Sequence, residues 1–134
     1  MMSLHGSCLC GGIRYQIDGE LSGAMFCHCQ KCRKANGSAF AFNAPIAANN
    51  FKLLSGAELL QSFASSPDAK RYFCKNCGSP LYSQRSSAPE ILRLRLGTLD
   101  DDIAINKVAH IFVGSKAAWD DIHDDLLQFA ERPE

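Results

Sequence analysis

Seven cysteines carry most of the chemistry this sequence could perform. They fall in three clusters: Cys8-Leu9-Cys10, then Cys27-His28-Cys29-Gln30-Lys31-Cys32, then Cys74-Lys75-Asn76-Cys77. Tetrahedral zinc, with Zn–S bonds near 2.3 Å, needs sulfurs about 3.8 Å apart, a spacing that cysteines one to four residues apart reach locally. Each cluster can therefore supply a half-site. Gly78 follows one pair and Gly11-Gly12 follow another; glycine lets the backbone turn tightly and aim amide hydrogens at thiolates. Joining the two predicts a closed four-thiolate site of Cys8, Cys10, Cys74 and Cys77, tying the first strand to the hairpin around Cys74. The competing reading, small buried core residues, sits badly with Lys75, Asn76 and the glycines, which make turns.

The middle cluster is left with Cys27, Cys29 and Cys32. Three protein ligands with a fourth position free is the arrangement of a catalytic zinc, whereas four thiolates saturate the ion. Three thiolates on a divalent ion leave one negative charge. Lys31, Arg33 and Lys34 could offset it and depress the thiol pKa values, and could hold a carboxylate-bearing substrate; the plainer reading is that they cover a solvated turn. His28 is the rival ligand, but between two cysteines in extended chain it should point away from the metal face; proton handling and a supporting contact stay open for it, and plain exposure is the expected reading. His5, His110 and His123 are expected to be structural, with His110 a satisfied core histidine. Arg93 and Arg95 share one side of their strand and are expected on a solvated outer face, an anion-binding surface being the alternative. Asp100-Asp101-Asp102 lacks the ligand spacing of a calcium loop and reads as a polar turn.

The elements that position these residues are mostly strands. Apolar and polar residues alternate in Ile13–Ile17, Phe40–Phe42 and Leu92–Leu96. Further strands are expected at Ala24–Cys27, Phe51–Leu54, Leu59–Phe63, Arg71–Phe73, Leu81–Gln84 and Val108–Phe112, separated by turn residues such as Ser55-Gly56 and Ser65-Ser66-Pro67-Asp68. A helical turn is expected from Gln30 to Ala35, stopping at Asn36-Gly37 where a left-handed backbone ends helices. Trp119, Ile122 and Leu126 recur at helical steps after Ser115, which predicts a short C-terminal helix. The fold class is thus mainly β, built of antiparallel sheets.

Length and charge set the remaining bounds. A chain of 134 residues suits one domain, 1–134, and no linker or repeat divides it. Lysine plus arginine equals aspartate plus glutamate, 14 each, so no general pull toward nucleic acid or an acidic membrane is expected. No basic stretch leads into an apolar run at the start, and no segment is apolar enough to span a bilayer, so a cytoplasmic protein is expected. In a reducing compartment an odd set of seven cysteines speaks for metal or thiol chemistry over disulfides.

Taken in order, Gly6-Ser7-Cys8-Leu9-Cys10-Gly11-Gly12-Ile13-Arg14-Tyr15, Cys27 through Lys34, and Phe73 through Leu81 resemble the glutathione-dependent formaldehyde-activating family, which includes centromere protein V. The stretch His110-Ile111-Phe112-Val113 through Lys116, Trp119 and Phe129 is similar to the family's ending. The resemblance implies a β-tent fold of zinc-pinned antiparallel sheets. It also implies a structural zinc on Cys8, Cys10, Cys74 and Cys77 and a catalytic zinc on Cys27, Cys29 and Cys32. The family's named reaction is a carbon–sulfur lyase-type one, joining glutathione, a small thiol, to formaldehyde as S-hydroxymethylglutathione. Three functions compete: that enzyme class acting on a thiol and a carbonyl compound, a non-catalytic zinc module for protein interaction, and a metal-free thiol redox relay.

Overall fold

In Arg14-Tyr15-Gln16-Ile17 the alternation read from the sequence becomes a strand with Tyr15 and Ile17 buried and Arg14 exposed. A computed structural model describes residues 3–133. In chain order its elements begin with β1 (Ser3–Ser7), β2 (Arg14–Asp18), β3 (Ala24–Cys27), α1 (Gln30–Asn36), β4 (Ala41–Ala47) and β5 (Phe51–Ser55). They continue with β6 (Leu60–Ala64), β7 (Ala69–Cys74), β8 (Pro80–Arg85), β9 (Ala88–Arg95), β10 (Lys107–Ile111) and β11 (Leu127–Gln128). The fold is mainly β, as expected, and every strand read from the sequence has its counterpart. β1 and β11 were not anticipated. β1 alternates only through Leu4 and Gly6, and Gly6 is where the chain passes so close to Tyr15 that a Cβ would lie 2.1 Å from its ring.

The strands form a three-stranded sheet, β1-β2-β5, and an eight-stranded sheet, β11-β10-β3-β4-β9-β8-β7-β6. Pairings are antiparallel except at one edge, where β10 runs parallel to both β3 and β11. The core gathers Ile13, Tyr15 and Ile17 from the small sheet's side with Ile46, Leu81, Leu92 and Leu94 from the large one. In β9 the leucines Leu92 and Leu94 enter this core. Arg93 and Arg95 take the opposite side of the strand, as the two-residue period requires.

α1 starts where Cys29, in extended backbone, accepts the Cys32 N–H with its side chain, and ends at Gly37 with φ 63°. Both ends match the sequence reading. The expected helix between Ser115 and Leu126 does not form. A single 3-10 turn, Val113–Ser115, is followed by irregular chain, and Trp119 stays 70% exposed. Two competing demands account for this. The aspartates bond locally, Asp124 accepting the Leu126 N–H at 3.0 Å, a habit that disfavours helix interiors. The backbone beyond finds long-range partners instead, Phe129 N–H reaching the His110 carbonyl and Phe112 N–H the Glu131 carbonyl, both at 2.9 Å.

Candidate metal centres and the cavity beside them

Cys8 follows β1, Cys74 ends β7, and Cys77 lies in the turn before β8, so two turns from different sheets meet at one point. The sulfurs of Cys8, Cys10, Cys74 and Cys77 all lie within 4.8 Å of one another. Cys8 to Cys10 is 3.5 Å and Cys10 to Cys74 is 3.9 Å, close to the about 3.8 Å edge of a zinc–sulfur tetrahedron. Each turn closes on its own cysteine: Gly11 N–H donates to the Cys8 carbonyl at 3.0 Å and Gly78 N–H to the Cys74 carbonyl at 2.7 Å. Gly78, at φ 81°, and Gly11, at φ 77°, take the left-handed backbone these turns need. Backbone also serves a sulfur directly, Ile13 N–H donating to Cys8 Sγ at 3.2 Å. Burial pushes the Cys74 thiol up to about 11. For Cys77 burial is outweighed by the Ser79 and Cys10 backbone N–H groups and the Ser79 hydroxyl, which bring it down to about 5. Four sulfurs at these distances, no one of them in a disulfide, form a donor set that can hold one tetrahedral soft-ligand cation.

Cys27, Cys29 and Cys32 form the second group, again with sulfurs within 4.8 Å of one another. β3 delivers Cys27, the bend into α1 delivers Cys29, and the first turn of α1 delivers Cys32. Thiols of Cys27 and Cys32 hydrogen-bond to Cys29 and bring it down to about 2, while Cys27 is pushed up by Cys29 and then Cys32. Cys32 receives the fork of Arg71, whose Nη1 and Nη2 donate to its Sγ at 3.6 and 3.7 Å. A second bond from Arg71 Nε to the Ser65 hydroxyl, 3.0 Å, fixes that arginine.

The triad opens on a cavity of about 680 Å³ on the face of the large sheet away from the core. Its wall includes Asn43, Arg71, Arg85, Arg93, Arg95 and Phe112. Arg95 is 5% exposed and donates through Nη1 to the Ser83 hydroxyl and the Arg93 carbonyl. Phe112 has φ 56°, a left-handed conformation that is uncommon for a bulky residue and costs on the order of 1–2 kcal/mol. Its strain is held by the Glu131 carbonyl on its N–H and by Arg132, 5.6 Å over its ring.

The family model for the "Glutathione-dependent formaldehyde-activating enzyme" matches residues 3–115. The chain belongs to the glutathione-dependent formaldehyde-activating family. All seven cysteines lie inside the match, and Asp124, Glu131 and Arg132 lie beyond it. A relative from Halomonas elongata, named "Putative glutathione-dependent formaldehyde-activating enzyme", is 28% identical over 90% of this chain and 82% of its own length. One from Schizosaccharomyces pombe, named "Uncharacterized lyase", is 37% identical over 61% of this chain and 58% of its own length. A crystal structure of a Rhodobacter sphaeroides protein superposes with a TM-score of 0.63 at 25% identity, covering 78% of this chain and all of that one.

Several expectations about this family member's site need correction. Of the three basic residues of α1, only Lys31 lines the triad cavity. Arg33 and Lys34 face a separate cleft with Trp119, and Arg33 donates to the Ser115 carbonyl at 3.0 Å. The cation on the sulfurs is Arg71. Arg93 and Arg95 are not on a solvated outer face; they line the cavity because α1 and the C-terminal segment cover that side of the sheet. His28 is fully buried rather than exposed, and it is turned from the sulfurs as expected. Its Nε2 lies 2.8 Å from His110 Nδ1, and His110 Nε2 lies 2.8 Å from an Asp124 carboxylate oxygen. The carboxylate can only accept, so His110 donates from Nε2 and His28 donates to His110, leaving His28 Nδ1 as a buried acceptor. Burial, then His110, holds the His28 imidazole below its ordinary range. His110 is the satisfied core histidine expected. His5 and His123 take no part in either sulfur group, and Asp100 and Asp101 serve the turn by accepting from Ser7 Oγ and His5 N–H.

No helix among the described residues is long and apolar enough to cross a membrane.

Proposed function

We propose that this chain, as one domain over residues 1–134, is a zinc enzyme that makes or breaks the bond between the sulfur of a small thiol and an aldehyde carbon. The reactants it suits are glutathione-like and formaldehyde-like, and its place of work is the cytoplasm, where seven unpaired thiols persist. Cys8, Cys10, Cys74 and Cys77 hold a structural zinc; Cys27, Cys29 and Cys32 hold the catalytic one. The observation that carries the reading is the contrast in surroundings: four sulfurs gathered where turns of two sheets meet, a set that by itself completes a tetrahedron, and three sulfurs that open on a cavity lined with arginines. The family's printed name and the lyase-named relative point to the same chemistry.

In the forward direction a sulfur–carbon bond forms, the carbonyl π bond becomes an alcohol, and the thiol's proton ends on the carbonyl oxygen. Zinc, when bound by the triad, supplies a Lewis acid that favours the thiolate over the thiol and polarises a carbonyl oxygen. The chain's own residues do the rest. Arg71 answers the negative charge of three thiolates and fixes Cys32. The Cys29 side chain, capping α1, ties the triad to a helix start and so fixes its shape. His28 does not line the cavity; it holds β3 against β10 through His110 and keeps the two flanking cysteines aimed the other way.

Two measurements test this together. Metal content should be two zincs per chain, falling to one in the Cys27/Cys29/Cys32 triple alanine variant. The intact, zinc-loaded protein should accelerate S-hydroxymethyl adduct formation from formaldehyde and small thiols, and the variant should not. No acceleration with any small thiol would sink the proposal.

A further inference from the structure

The chain carries equal numbers of basic and acidic residues, but the cavity beside the triad does not. Six basic side chains line it, Lys31, Arg71, Arg85, Arg93, Arg95 and Arg132, against two carboxylates, Asp68 and Glu131. Asp68 is already engaged, accepting from the Ser87 N–H at 2.9 Å and the Ser87 hydroxyl at 2.7 Å. Among the described residues no carboxylate forms an ion pair with Arg71, Arg85, Arg93 or Arg95.

Three thiolates around a divalent ion leave one negative charge, and the fork of Arg71 already faces it. Arg95 is in surplus. It is buried, its Nε has no acceptor, and a guanidinium cannot shed its proton to escape the cost of burial. Its cross-strand partner Asn43 also lines the cavity. A buried guanidinium without an anion is costly in a folded chain unless it serves something. Arg95 is also close to the reacting position. Cys27 pairs with Ala41 on β4, and Asn43, two residues on, pairs with Arg95 on β9. The Cα atoms of Cys27 and Arg95 are thus offset by two strand spacings, about 9.6 Å, and two residues, most of which an arginine side chain spans.

We infer that one of the two reactants carries a carboxylate within two or three bonds of its reacting atom, and that Arg95, with Arg93, seats that carboxylate beside the triad. The inference rests on the proposed function for what the reacting atoms are. A neutral aldehyde offers these groups nothing to hold, and the carboxylates of a tripeptide thiol sit several bonds further from its sulfur. The carboxylate could belong to the thiol, as in a mercapto acid, or to the carbonyl compound, as in a 2-oxo acid.

Titration calorimetry on the zinc-loaded protein with two matched pairs separates these sources: mercaptoacetate against 2-mercaptoethanol, and glyoxylate against acetaldehyde. The anionic member of at least one pair should bind tenfold or more tightly than its neutral counterpart. Arg95→Gln should erase most of that gap and leave the neutral member's affinity unchanged. Arg93→Gln, at a half-buried position on the same strand, should narrow the gap and covers the case in which Arg95→Gln fails to fold. Equal affinities in both pairs would overturn the inference, as would a gap that survives in both variants. Because binding is read without turnover, a preference found in a protein that catalyses nothing upholds the inference and removes only the catalytic reading. Turnover of formaldehyde without any preference overturns the inference alone.

Discussion

The two sulfur groups use the same residue type at similar distances, yet they are supported in opposite ways. The tetrad is assembled from far apart in the chain, Cys10 and Cys74 being 64 residues distant, and its support is backbone: turns closed by Gly11 and Gly78 and an N–H from Ile13. The triad comes from six consecutive residues, and beside the one N–H that Cys29 accepts from Cys32 it is supported by a charged side chain, Arg71. Chain entropy separates them further. A cross-link over 64 residues removes about 4 kcal/mol of unfolded-state freedom, and one over a few residues only about 2. A long-range link held by backbone turns suits holding sheets together. A short one facing a cationic cavity can be given to chemistry at less cost to the fold.

The sharpest way to break this comparison is to remove one ligand from each group. Cys74→Ala leaves three sulfurs where two sheets meet and should cost about 5 kcal/mol or more, so the variant should be largely unfolded at 37 °C by circular dichroism. Cys29→Ala should lower the melting temperature by only a few degrees while cutting turnover roughly 10³-fold, about 4 kcal/mol of barrier. Equal losses of stability in the two variants would remove the distinction between the groups.

The division into four and three sulfurs was legible because cysteines with glycines behind them read as turns, whatever fold surrounds them. The strands were legible through alternation, most plainly in Leu92-Arg93-Leu94-Arg95. What alternation cannot say is whether the second face of a strand is covered. Arg93 and Arg95 therefore read as surface, although α1 and the C-terminal segment close over them. Arg71 carried no sequence signal at all, since one arginine in a strand is unremarkable until the fold sets it against Cys32. The pairing of His28 with His110 depends on β10 running parallel to β3, a long-range choice invisible to local pattern. The missing C-terminal helix is the same lesson: apolar spacing suggested it, and long-range backbone pairing displaced it.

A finer test concerns the side chain that distinguishes the triad's surroundings. Arg71→Gln removes two charge-assisted bonds to Cys32, and bonds of that kind contribute roughly 1.5–3 kcal/mol. Turnover should fall about ten- to hundredfold, with the melting temperature lowered by no more than several degrees, far short of the loss in Cys74→Ala. A large loss of stability instead would make Arg71 a structural residue and the two groups more alike than described.

The smallest effect lies behind the triad. Asp124 closes the chain from His28 through His110, and the hydrogen bond from His110 holds its carboxyl below the usual carboxylate range. A carboxyl lowered on folding stabilises the fold above its unfolded value, near pH 3.9, and loses that contribution as pH falls through the folded value. Asp124→Asn should therefore lower the melting temperature at pH 7 by on the order of one to three degrees, since an exposed pair contributes little. The gap between the two proteins should close on acidification below about 3.9. Metal loss in acid affects both proteins, so the difference between them isolates the carboxylate. A gap that persists at low pH would mean that Asp124 acts through its shape alone. In that case the triad would rest on packing, as the tetrad rests on its turns.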